Sequence, residues 1–120
     1  MTKTERNKLK KLLHQAVVGK YGNNCLRCGK VGIQASHIYP KGHYPNMEWD
    51  IENLKPLCYG CHLSFWHKSP LEASEWIKEA IPARRLNSLR KKSMPNTGLK
   101  TYYNYEDIKK QLEKYVKKID

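Results

Sequence analysis

A chain of 120 residues, 39% hydrophobic and 28% charged, has room for one compact domain, and so small a core commonly needs a staple. Its net charge of +12, from 23 Lys and Arg against 11 Asp and Glu, points to a polyanionic partner, nucleic acid first. No apolar run approaches the ~20 residues of a membrane span, and the charged start Met1-Thr-Lys-Thr-Glu-Arg is unlike a secretion signal, so the expectation is a cytoplasmic protein with no membrane partner.

Leu9, Leu12, Leu13, Ala16 and Val17 recur at helical spacing and predict a helix from about Thr4 to Val18. Lys8, Lys10 and Lys11 fall mostly on its other face, and Gly19 and Gly22 close it. Asn23 to Gly32 reads as a cysteine knuckle, with Gly29 permitting the tight turn. A short strand is expected around Gln34 to Ile38. A loop rich in Pro and Gly follows, then a second extended piece near Met47 to Asp50. A helix runs from about Tyr59 to Lys68. Ser69-Pro70-Leu71-Glu72 has the pattern of a capped helix start, Ser at the cap and Glu three later. Ala73, Trp76, Ile77, Ala80 and Ile81 give that helix its apolar face, and Pro82 stops it. Arg84 to Lys92 predicts a short basic helix and Ser93 to Lys100 a loop with Pro95 and Gly98. The last helix starts at Asn104, with Ile108, Leu112, Tyr115, Val116 and Ile119 on one face and Lys109, Lys110, Lys114, Lys117 and Lys118 behind. Trp66, Trp76 and the aliphatic helix faces are the expected core. Tyr102, Tyr103 and Tyr105 suit either core or base stacking. The organisation expected is a basic helix over 1–22, a stapled centre over 23–69 and a basic helical region over 70–120, packed as one unit.

The four cysteines form two pairs, Cys25-Leu26-Arg27-Cys28 and Cys58-Tyr59-Gly60-Cys61. Disulfides, a redox CxxC and a tetrahedral zinc site all use such pairs. The cytosol is reducing, and two CxxC knuckles suit structural zinc held by four thiolates. Such a site would contribute folding free energy that a small core lacks.

Between the knuckles stand Ser36-His37-Ile38-Tyr39-Pro40-Lys41-Gly42 and Asn53-Leu54-Lys55-Pro56-Leu57-Cys58-Tyr59-Gly60-Cys61-His62. CxxC, a His after a short strand, then Asn-Leu-x-x-Leu-Cys-x-x-Cys-His opening a helix resembles the HNH, or ββα-metal, endonuclease motif over about Cys25 to His67. Within that family the chain is most similar to phage recombination nucleases of the NinG type, through Ser36 to Gly42, Trp49-Asp50 and Trp66-His67 before Pro70. The resemblance implies an α+β fold, a ββα unit stapled by the cysteines and flanked by helices. It implies hydrolysis of DNA phosphodiesters, in a bacterium or a phage-infected host, leaving 5′-phosphate and 3′-hydroxyl ends. His37 would be the general base, its pKa range suiting proton removal from water. Asn53 would orient it, and His62 would bind a catalytic divalent ion such as Mg or Mn. A neutral imidazole favours Mn, Ni or Zn, because Mg wants more oxygen ligands.

Many family members place Asp or His directly before the catalytic His, as a metal ligand. Here that residue is Ser36. Water, Asp50 or Glu52 is the expected substitute. His67 is a further possible ligand, although five residues on an α-helix span about 500° and align two side chains only loosely. Lys41, Arg84, Arg85, Arg90, Lys91 and Lys92 are the candidate backbone contacts, which position without reading sequence. Double-stranded or branched DNA with weak sequence preference is the expected substrate. A non-catalytic zinc-finger nucleic-acid-binding protein is the alternative. His14 carries no assignment, and His43 is expected to be exposed.

Overall fold

A computed structural model describes residues 1–94 and 104–116. The readings made for Pro95, Gly98, Tyr102, Tyr103, Lys117, Lys118 and Ile119 fall outside those residues. The described chain is α+β, with helices around a two-stranded antiparallel sheet. None of its helices is long and apolar enough to cross a membrane.

Helix α1 (Lys3–Tyr21) begins with a capping box: the Thr2 hydroxyl accepts from the Glu5 N–H, and the Glu5 carboxylate accepts from the Thr2 N–H. It runs through Gly19, which a helix interior tolerates at about 1 kcal/mol, and ends at Gly22, whose φ of +90° suits glycine. Leu9, Leu13, Ala16 and Val17 are buried, as their spacing requires. The first knuckle follows, turned tightly at Gly29 with φ +80° and closed by hydrogen bonds between Cys25 N–H and Lys30 carbonyl and between Gly29 N–H and Cys25 carbonyl.

Strands β1 (Gln34–His37) and β2 (Leu54–Leu57) pair antiparallel, with Ser36 opposite Lys55 and His37 opposite Leu54. Every residue of β2 is buried. Strand alternation sends Leu54 into the core under α1, while Leu57 packs with the cysteines and, at the edge, Trp66. The extended piece expected at Met47 to Asp50 is instead made of tight turns, Pro45–Met47 and Ile51–Asn53. Pro45 fixes φ at the start of the first, and the Asp50 side chain accepts from the Glu52 N–H at the start of the second.

The helix after the second knuckle opens as α-helix at Tyr59 and Gly60 and continues as a π-helix over Cys61–His67. Helix α2 (Pro70–Ala80) is started by Pro70 at its first turn. The expected Ser69 cap does not form: Ser69 sits at φ −128° and ψ 66° and its side chain makes no capping bond. Helix α3 (Ala83–Ser93) follows Pro82, and α4 (Tyr105–Glu113) is capped by Asn104 on the Glu106 N–H.

The described residues form two cores. The larger joins α1, α4, Ile33, Ile51 and Leu54, so Ile108 and Leu112 bury against the first helix of the chain, with Tyr105 packed beside them. The smaller surrounds the cysteines. Trp66 and Trp76, expected to contribute to the core, pack half-buried at the edge of this second cluster, in an edge-to-face pair. His14 bonds the Ile33 carbonyl and helps seat α1. His43 is exposed.

Candidate functional site

The two knuckles bring Cys25, Cys28, Cys58 and Cys61 together. All four Sγ atoms lie within 4.8 Å of one another, with Cys28 the exposed member. Tetrahedral zinc with Zn–S of about 2.3 Å sets sulfurs about 3.8 Å apart, and Cys28 and Cys58 stand at 3.6 Å. The cysteines are free thiols, not disulfides. The Cys28 and Cys61 N–H groups point at Cys25 Sγ and Cys58 Sγ, 3.5 and 3.4 Å away, and the Arg27 guanidinium at Cys61 Sγ. Burial opposes the Cys25 thiolate, but surrounding N–H donors, Cys58 first, bring its pKa down to about 6. Burial and the neighbouring sulfurs push Cys61 up. Four thiolates this close cannot all ionise without a cation among them, and a zinc-sized ion fits that requirement.

His37 closes β1, and its Nε2 is 2.9 Å from the Glu48 carbonyl oxygen. A carbonyl only accepts, so Nε2 carries the proton and Nδ1 keeps the lone pair. Burial holds the His37 pKa below its ordinary value, against the pull of the Glu48 bond and with help from the charges of Lys41 and Lys55. Asn53 is fully buried. It accepts from the Tyr39 N–H and donates to the Tyr39 and Met47 carbonyls, at 2.8 to 3.0 Å. It therefore laces the loop after His37 to the turns that present the Glu48 carbonyl.

His62 and His67 meet, with Nε2 atoms 2.9 Å apart. The π-helix contributes to this: its i→i+5 bonding widens the turn, so five residues overshoot a full turn by less than they do on an α-helix. His62 Nδ1 donates to Gln34 Oε1 at 2.6 Å, leaving its Nε2 lone pair toward His67. Burial first, then the charges of His67, Lys55 and His37, lowers the His62 pKa to about 4. Both nitrogens can serve one ion, but no third His, Cys or carboxylate ligand joins them among the described residues.

His37, His62 and His67 all line one cleft of about 980 Å³, formed by the loop after β1, the π-helix, α2 and α3. No carboxylate lines it among the described residues. Asp50 and Glu52, the expected substitutes for an acidic ligand, are engaged elsewhere: Asp50 with Lys92 at 2.6 Å, Glu52 with Lys20 and Arg85 at 3.2 and 3.3 Å. Ser36 is fully buried and does not line the cleft. It accepts from Lys55 Nζ at 3.0 Å.

Lys55 escaped the sequence reading. Its ammonium is buried between Ser36 Oγ, the His37 carbonyl and the face of Trp66, 3.3 Å from the ring centre. Burial, with Arg85 adding to it, lowers its pKa to about 6. The available signal was a lone lysine inside Leu54-Lys55-Pro56-Leu57, directly across the hairpin from the position where a metal-binding acid was missed. Gln34 was also overlooked; it lies two residues before Ser36, on the same strand face.

The basic candidates separate. Lys41 and Arg90 line the cleft, as does Lys78, which was not anticipated. Arg84 and Lys91 are exposed on α3 outside it. Arg85 is tied to the Glu52 and Leu54 carbonyls and Lys92 to Asp50, so these two hold α3 to the turn before β2.

Comparison with family models, characterised proteins and solved structures found no match to this chain.

Proposed function

We propose that this protein is a zinc-stapled, metal-dependent HNH-type endonuclease that hydrolyses phosphodiester bonds of DNA. The observation that carries the reading is His37: a half-buried imidazole with Nε2–H fixed on a backbone carbonyl, in the same cleft as the His62–His67 pair. A base needs that tautomer locked and a neutral ring near neutral pH. In the reaction, His37 Nδ1 takes the proton from the attacking water, and the resulting imidazolium is stabilised by the Glu48 carbonyl. Asn53 positions the loop and the Glu48 turn, and so sets the angle of the ring. His62 and His67 would hold the catalytic divalent ion, whose chemistry is charge neutralisation at the phosphate and leaving oxygen. Two imidazoles and no carboxylate favour Mn or Zn over Mg. The four cysteines would hold the structural zinc. Lys41, Lys78 and Arg90 at the cleft, with Arg84 and Lys91 beside it, would engage backbone phosphates.

A zinc-finger binding module without chemistry shares the cysteines and the charge. Supercoiled plasmid incubated with the zinc-loaded protein and Mn, Mg, Ni or Zn separates the two. The nuclease reading expects nicking with at least one of these ions and loss of it in His62→Ala/His67→Ala. DNA binding without nicking in every ion would leave only the binding module.

A further inference from the structure

The cleft that contains the three histidines has the size and lining of a site for unpaired bases. Its volume is about 980 Å³, and cavities of about 300–1,000 Å³ take one ligand of drug size, comparable to a nucleotide or two. A duplex is a rod with its bases stacked inside and has no means of filling such a space. The walls are largely apolar, with Ile38, Ile77 and Leu86 lining the cleft together with Tyr39 and Trp66. A site built for phosphates alone would not need them. The charge on the cleft is of one sign: Lys41, Lys78 and Arg90 are exposed along it. Lys78 has only a loose, exposed pair with Glu75 at 3.8 Å, which holds it weakly.

We infer that the substrate engages this cleft as an unpaired strand, a base or two lying between the loop after β1 and the α2–α3 wall, with the flanking phosphates on Lys41, Lys78 and Arg90. Strand ends, gaps and the unpaired arms of branched DNA present such segments; an intact duplex would have to be opened first. Asn87, also in the lining, supplies a side-chain amide for a base edge. The inference rests on the nuclease reading for the use made of His37, while its own evidence is the shape and chemistry of the cleft.

The test is fluorescence anisotropy on the zinc-loaded protein with no other ion added. Three probes carry equal numbers of phosphates: an oligothymidine, the same strand with abasic sites at its centre, and a hairpin duplex. The strand should bind about tenfold or more tighter than its abasic counterpart, as base–aromatic contacts elsewhere do, and tighter than the duplex. Lys78→Glu/Arg90→Glu, both on exposed positions, should erase the preference for the strand, whereas Lys10→Glu on the outer face of α1 should keep it. Equal binding of the abasic and thymidine strands, or a duplex bound as tightly as the strand, overturns the inference. A protein that never nicks but keeps the base-dependent preference loses the nuclease reading alone. One that nicks plasmid yet ignores bases loses the cleft assignment alone.

Discussion

At the scale of single residues, burial favours the neutral form of both Lys55 and His37, with different consequences. Lys55 is neutral in the folded state above about pH 6 but charged in the unfolded chain up to its ordinary value of 10.5. Between those limits the unfolded state binds more protons, so Lys55 makes stability rise with pH, by up to about 1.4 kcal/mol per unit. Lys55→Met removes that dependence. In urea titrations the gap between variant and wild type should be widest near pH 6 and close as pH rises; a gap independent of pH would mean that Lys55 stays charged. For His37 the neutral ring is the active form, and burial lowers its pKa. Cleavage should rise with pH through a value below 6.5, the ordinary imidazole figure, and then level off. A midpoint above 6.5 would place the titrating base elsewhere. His37 and His62 stand out in the sequence because CxxC, His, Asn and CxxC-His follow the order of a motif, and the structure brings both to one cleft. Lys55 was not, because a lysine in sequence reads as surface, and only the pairing of Ser36 with Lys55 across the hairpin shows it buried.

Among elements, the starts of α1 and α2 show how far local patterns carry. Both Thr2-x-x-Glu5 and Ser69-x-x-Glu72 have the capping pattern, yet only the first forms its bonds. Thr2→Ala should therefore cost about 1 kcal/mol and Ser69→Ala almost nothing, compared by thermal melts; equal losses would contradict the difference in cap geometry. The apolar periods of α1, α2 and α4 were readable since one face of each had to be buried. The π-helix was not, since a π segment has the same composition as an α one and differs only in which residues stack. That hidden difference helps bring His67 to His62. The extended piece expected near Met47 fails for a related reason: the chain there is too rich in turn formers, Pro45, Asn46 and Asp50, to hold a strand.

For the whole molecule, the division into two cores decides what metal removal does. The larger core ties α1 to α4, and Leu112 is fully buried there. Leu112→Ala should lose about 2–5 kcal/mol without releasing zinc. The smaller core has Leu57, the cysteines and two half-buried tryptophans, too little apolar surface to hold together unless the four cysteines, which could hold a metal ion, bind one. A strong chelator, or Cys58→Ser, should lower the melting temperature and change the fluorescence of Trp66 and Trp76, with stoichiometric zinc appearing in a metal-dye assay. An unchanged melt after complete metal removal would mean that the cysteines do not staple the fold. The charge of +12 points to a polyanionic partner. What it left open was which cations are available, because Arg85 and Lys92 look the same in sequence as Arg90 but hold α3 in place.

The most direct measurement compares plasmid nicking by wild type and His37→Ala under conditions where both are shown to be folded, zinc-loaded and equally bound to DNA. The account predicts that His37→Ala binds as wild type does and cuts about 10²–10⁴-fold more slowly; a His37→Ala protein that cuts at the wild-type rate would contradict it.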